Sequence, residues 1–96
     1  MLFVITAIDK EGSLQLRMAT REAHLAYAKE TGAVKLGGPF LNAQNEMCGS
    51  LLIVEAADLQ AAHIWASNDP YAKAGLFQST DVRGWKAGIN NCGATL

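Results

Sequence analysis

Apolar and polar positions divide the chain into a regular series of segments. Leu2-Phe3-Val4-Ile5-Thr6-Ala7-Ile8 is β-branched and aromatic-rich and stops at Asp9-Lys10-Glu11, which predicts a strand. Gly12-Ser13 punctuates the chain, and Ser13 is placed as the N-cap of a helix running to about Glu30 and ended by Gly32. Val34 to Phe40 predicts a second strand, interrupted by Gly37-Gly38-Pro39. The polar stretch Asn42 to Glu46 reads as a turn, and Gly49 to Glu55 as a third strand, so these two strands form a hairpin. Asp58 is placed to cap a second helix, Leu59 to about Asn68. Asp69-Pro70 ends it, because the residue before a proline avoids helical geometry. Asp69 can in turn cap a short helical turn, Pro70 to Ala74, closed by Gly75. Leu76 to Lys86 reads as a fourth strand with Gly84 as a bend, and Ala87 to Leu96 as a poorly ordered tail after a single domain, 1–87.

The order β-α-β-β-α-β predicts a ferredoxin-like α+β sandwich, with both helices on one face of a four-stranded antiparallel sheet. A sheet with one wet face alternates apolar and polar residues. Leu2 to Ile5 and Leu51 to Val54 are apolar on both sides. Two helices cover one face only, so the pattern predicts a second copy packed sheet against sheet, a homodimer.

Composition narrows the function. The chain has 96 residues, half of them hydrophobic and 18% charged, with a formal net charge of −1. A chain this apolar can bury enough surface to fold, and it lacks the positive field that nucleic acid or an anionic membrane selects. No nucleic-acid or membrane partner is expected. The apolar start lacks a basic flank and is too short for a signal peptide or a membrane span, so a cytoplasmic location is expected. Cys48 and Cys92 stand far apart with no Cys/His cluster, which argues against zinc and leaves no metal ligand set. Neither a phosphate-binding GxxxxGK[ST] loop nor a GxSxG motif occurs.

On a helical wheel Arg17, Arg21 and His24 fall within about 60° of one another. Two cations and an imidazole on one stripe form a candidate anion site; the blander reading, preferred on the wheel alone, is a solvated basic face. The neighbouring stripe of Leu16, Ala19, Ala23, Ala26 and Tyr27 is expected to pack in the core. His63 reads as a surface or packing residue, with Ile64 and Trp65 toward the sheet. Asp69 reads as a cap or as the partner that orients an imidazole, and Ser50 as a possible pocket donor.

Five stretches carry a resemblance. Arg17-x-x-x-Arg21-x-x-His24-Leu25-Ala26-Tyr27, Gly38-Pro39-Phe40-Leu41, Gly49 to Glu55 and Asp69-Pro70-Tyr71-Ala72-Lys73-Ala74-Gly75-Leu76 are similar to the YCII-related (YciI-like) domain family, and Val82-Arg83-Gly84-Trp85 is similar to its end. The sequence departs from that pattern in the hairpin loop, Asn42 to Met47, and at Gly84, where a proline is usual. The resemblance implies a ferredoxin-like fold that pairs into a dimeric α/β barrel. It also implies acid–base chemistry on a paired histidine and aspartate, here His24 and Asp69, as in a relative that removes chloride from a chlorinated hydroxyquinol. The expected function is therefore an acid–base enzyme of lyase or isomerase type acting on a small anionic or phenolic molecule without a cofactor. His24 and Asp69 are the expected catalytic pair. Arg17, Arg21, Gly38, Pro39, Ser50 and Tyr71 are expected to bind the substrate. A ligand-binding dimer without turnover, or a purely structural one, is the alternative.

Overall fold

A computed structural model describes residues 1–96. The chain forms β1 (Leu2–Asp9), α1 (Leu14–Thr31), β2 (Val34–Leu41), β3 (Met47–Glu55), α2 (Leu59–Ser67), α3 (Pro70–Lys73) and β4 (Phe77–Trp85). Residues 86–96 form neither helix nor strand. The strands lie in the order β2-β3-β1-β4, and every neighbouring pair is antiparallel. This is the ferredoxin-like β-α-β-β-α-β arrangement.

Local chemistry accounts for most boundaries. The Asp58 carboxylate accepts from the Ala61 N–H at 2.8 Å, and Asp69 accepts from the Tyr71 N–H at 2.9 Å, so both caps form as residue type dictates. Gly32 ends α1 at φ 63°, a left-handed position that suits glycine, and its N–H returns to Ala28 O. Ser13 stands at the start of α1, but its side chain makes no capping bond. In the hairpin, the Asn42 side chain accepts from the N–H groups of Gln44 and Glu46.

Three expectations are corrected. Strand β2 runs unbroken through Gly37-Gly38-Pro39, because β2 is an edge strand and Pro39 need not donate to a ladder there. β4 likewise stays extended through Gly84. Ile64 is 55% exposed rather than turned to the sheet; Ala62 and Ala66 are the buried residues of α2.

The apolar core sits under α2. Phe3 and Ile5 of β1, Leu52 and Val54 of β3 and Val82 of β4 pack with Ala62 and Ala66, with Trp65 at the margin. Helix α1 contributes nothing to this cluster. Its buried residues are Arg17 and His24, while Leu16, Ala19, Ala23 and Ala26 are exposed and Tyr27 is half-buried. The helix is thus turned with Arg17 and His24 inward, and most of the expected core stripe faces out. Burial of a guanidinium and an imidazole is tolerable only with partners, and the partners come from β1, β3 and the start of α3.

The opposite face of the sheet has no helix. In β1 the buried residues Phe3, Ile5, Ala7 and Asp9 alternate with Leu2, Val4, Thr6 and Ile8 on that open face. Register places Val4 beside Ile53, and Leu2 beside Trp85. The accessible surface is 6093 Å², above the roughly 5,300 Å² expected for a folded monomer of this mass. No helix is long and apolar enough to cross a membrane.

Candidate active site

The space that α1 leaves above β2 and β3 is a cavity of about 200 Å³. Its polar wall is Arg17, Arg21, His24, Ser50 and Tyr71; Gly37, Gly38 and Pro39 of β2 form the side away from the core. Leu25, Ala28, Val34, Met47 and Leu52 supply apolar wall.

His24 and Asp69, 45 positions apart, meet here. The imidazole Nδ1 lies 2.9 Å from Asp69 Oδ1 and 3.0 Å from Oδ2. The same Oδ1 takes the Tyr71 N–H, so Asp69 is both the cap of α3 and the partner of His24. An ionised carboxylate only accepts, so Nδ1 is the donor and the neutral ring keeps its lone pair on Nε2. Nε2 has no partner within the chain, yet no fully buried side-chain polar atom lacks one. Nε2 therefore opens on the cavity.

The two arginines are not equivalent. Arg17 is buried and forked onto Asp9, with Nε at 2.7 Å from Oδ2 and Nη2 at 3.0 Å from Oδ1; Nη2 also donates to Ser50 Oγ at 2.8 Å. Burial works against the Arg17 charge, but the hydrogen bond and charge of Asp9 outweigh it and raise its pKa above the ordinary value. Arg21, one turn on, is exposed at the rim and makes no ion pair. The stripe is thus one committed cation, one free cation and one oriented imidazole, not a solvated face.

Tyr71 links them. Its ring stacks on His24 with centroids 4.2 Å apart and 18° between planes, and the Arg17 guanidinium carbon lies 4.5 Å from its centroid. Phe77 meets it edge-on at 6.0 Å. Burial pushes the Tyr71 phenol above the ordinary tyrosine value, and the charges of Arg17 and Arg21 pull it partly back.

All eight residues singled out in the sequence border this cavity or, for Asp69, hold a residue that does. Ser50 enters through Arg17. Gly38 has open space around its missing Cβ, whereas a Cβ at Gly37 would come within 2.5 Å of Leu52 Cδ2 and force that side chain to shift. In the sequence Asp9 marks only the charged stop of the first strand; its place two residues after Ala7 on the inward side of β1 is the signal available there. His63 is exposed and remote. No group of three or more His, Cys, Asp or Glu side chains is placed to hold a metal ion.

The fold and this cavity define a class: a ferredoxin-like α+β protein with a histidine and an aspartate paired at a small pocket under its first helix. A family model for the YCII-related domain matches residues 1–86, and the chain belongs to that family. It is 36% identical over 95 residues to the protein YciI of Escherichia coli, covering 90% of this chain and 97% of that one. An uncharacterised protein of Haemophilus influenzae matches at the same identity and coverage. Among solved structures, the chain is similar to 5-chloro-2-hydroxyhydroquinone dehydrochlorinase (TftG) from Burkholderia phenoliruptrix, in complex with 2,5-dihydroxybenzoquinone. The TM-score is 0.83 at 43% identity, over 90% of this chain and 94% of that one. An antibiotic biosynthesis monooxygenase shares the fold alone, with a TM-score of 0.54 at 14% identity, over 86% of this chain and 94% of that one.

Proposed function

We propose that this protein is a cofactor-independent acid–base enzyme, of lyase or isomerase type, acting on a small single-ring phenolic or otherwise anionic molecule. The observation that carries this reading is the His24 imidazole, held at Nδ1 by Asp69 with Nε2 open to the cavity. Such an imidazole can take a proton from a ring hydroxyl and return it. Arg21 is a free cation at the rim for a phenolate or carboxylate, and Arg17 adds a second positive charge to the cavity wall. The size agrees: a cavity of about 150 Å³ accommodates benzene, and this one is about 200 Å³ with mixed walls. The similarity to the dehydrochlorinase supports the same class of substrate.

For loss of HCl from a chlorinated hydroxyquinol, the keto tautomer carries hydrogen and chlorine on one ring carbon. The hydroxyl proton goes to His24 Nε2, and the O–H electron pair forms a carbonyl. The adjacent double bond shifts one position, and the C–Cl pair leaves with chloride. No outside oxidant or cofactor enters.

The test is chloride release from 5-chloro-2-hydroxyhydroquinone, with a chemical-shift titration against 2,5-dihydroxybenzoquinone. The expected result is turnover that falls about 10²- to 10⁴-fold in His24→Asn, with shifts in α1, Pro39 and Ser50. Binding there without chloride release from this or other phenols leaves a ligand-binding module, and shifts remote from α1 overturn the site.

A further inference from the structure

We propose that Asp9 is a positioning residue for this site: through the Arg17 guanidinium it fixes the Tyr71 ring that backs His24. This rests on the reading of His24 as the proton-transfer group, but its geometry stands apart from any substrate.

Arg17 and His24 are seven residues apart on α1, two turns, or about 10.5 Å along the axis. The Tyr71 ring lies 4.5 Å from one and 4.2 Å from the other. Both groups thus bear on the Tyr71 ring, the imidazole stacked on it and the guanidinium over it. Each of the two groups is held by a carboxylate. Asp69 holds His24 at Nδ1. Asp9 holds Arg17 by a fork on Nε and Nη2, and a fork fixes the plane of a guanidinium where a single bond would let it swing. Ser50 adds a third bond to Nη2.

The placing of Asp9 follows from β1. It is the last inward residue of that strand, and the β1–β4 register shifts at this point, so Asp9 lies opposite Phe77 rather than Gln78. Phe77 is the residue whose ring meets Tyr71 edge-on. The carboxylate that grips Arg17 and the ring that backs Tyr71 are thus set by one irregularity in the ladder. Tyr71 is also tied to Asp69 by its own N–H. A shift of the tyrosine therefore disturbs both the stack on His24 and the carboxylate that orients it. Without Asp9 the buried guanidinium has no charge partner, and turning Nη1 and its neighbours to the water of the cavity removes it from the Tyr71 face.

The experiment reads the ring C–H and Nδ1–H signals of His24 by NMR in the full chain without ligand, with exposed His63 as the internal reference. In the wild type the Tyr71 ring current displaces the His24 ring signals; Tyr71→Leu marks their unstacked position. Asp9→Asn is expected to move them toward that position while His63 stays, and Asp9→Glu, which keeps two charged acceptors, to restore them. Should Asp9→Asn not fold, Arg17→Lys removes the planar fork from the other side and is expected to give the same displacement. Chloride release in either variant is expected to drop about 10²-fold, the scale of a 1 Å misplacement. A folded Asp9→Asn or Arg17→Lys with His24 signals at wild-type positions overturns the proposal. A wild type that releases no chloride overturns the enzyme reading instead, and the His24 signals still decide the role of Asp9.

Discussion

The His24 imidazole lies face to face with the Tyr71 ring, 4.2 Å between centroids and 18° from parallel. This contact joins the middle of the first helix to a residue 47 positions later, in a helical turn of only four residues, Pro70–Lys73. It holds the imidazole plane while Asp69 holds its Nδ1 edge, so one ring nitrogen, Nε2, is left without a partner in the chain.

Asp69 serves two neighbours, and a single substitution separates them. Asparagine caps a helix nearly as well as aspartate, so Asp69→Asn is expected to change the stability in urea by less than about 1 kcal/mol. It replaces the charged acceptor of His24 Nδ1 by an amide that can as readily donate, so chloride release is expected to fall about 10²-fold or more. Unchanged turnover in a folded variant would remove Asp69 from the site.

Alkaline pH acts on the same wall. Burial raises the pKa of the Tyr71 and Tyr27 phenols in the folded state, and the charge of Asp69 adds to the rise at Tyr27. The folded form thus binds these protons more tightly than the unfolded form, whose tyrosines titrate near 10. Their contribution to stability is complete below about pH 10 and is lost as pH rises through the folded values. Denaturation midpoints followed from pH 8 to 11 should decline above 10, and less steeply in Tyr71→Phe. A decline equally steep in that variant would remove Tyr71 as a source.

The open sheet face predicts self-association. Leu2, Val4 and Leu51 lie half-exposed on it, beside Ile53, which the chain itself already buries, and the surface area exceeds that of a well-closed monomer. Light scattering with gel filtration at micromolar concentration is expected to give about twice the 10.2 kDa chain mass. Val4→Lys should shift the mass toward one chain. A monodisperse wild-type monomer would leave that face without a second copy.

Much of the fold was legible locally. Asp58, Asp69, Gly32 and the Asn42 turn act through bonds to residues at most four positions away, so their chemistry is visible in the chain itself. The β-branched runs of β1 and β3 and the order of elements were read the same way. The edge position of β2, which lets Pro39 remain in a strand, belongs to the sheet and not to the segment.

What only the tertiary structure decided is which side of α1 faces in. The wheel offers an alanine-rich stripe and a basic one, and residue chemistry alone puts the charges in water, because an unpaired buried guanidinium is costly. Asp9, Ser50, Asp69 and Tyr71 reverse that choice, and they lie between 8 and 54 positions from the residues they hold. The sequence by itself determined the strands, the caps and the set of candidate residues. Folding determined that Arg17 is committed to a carboxylate while Arg21 is free, because a charge is compensated by what lies beside it in space.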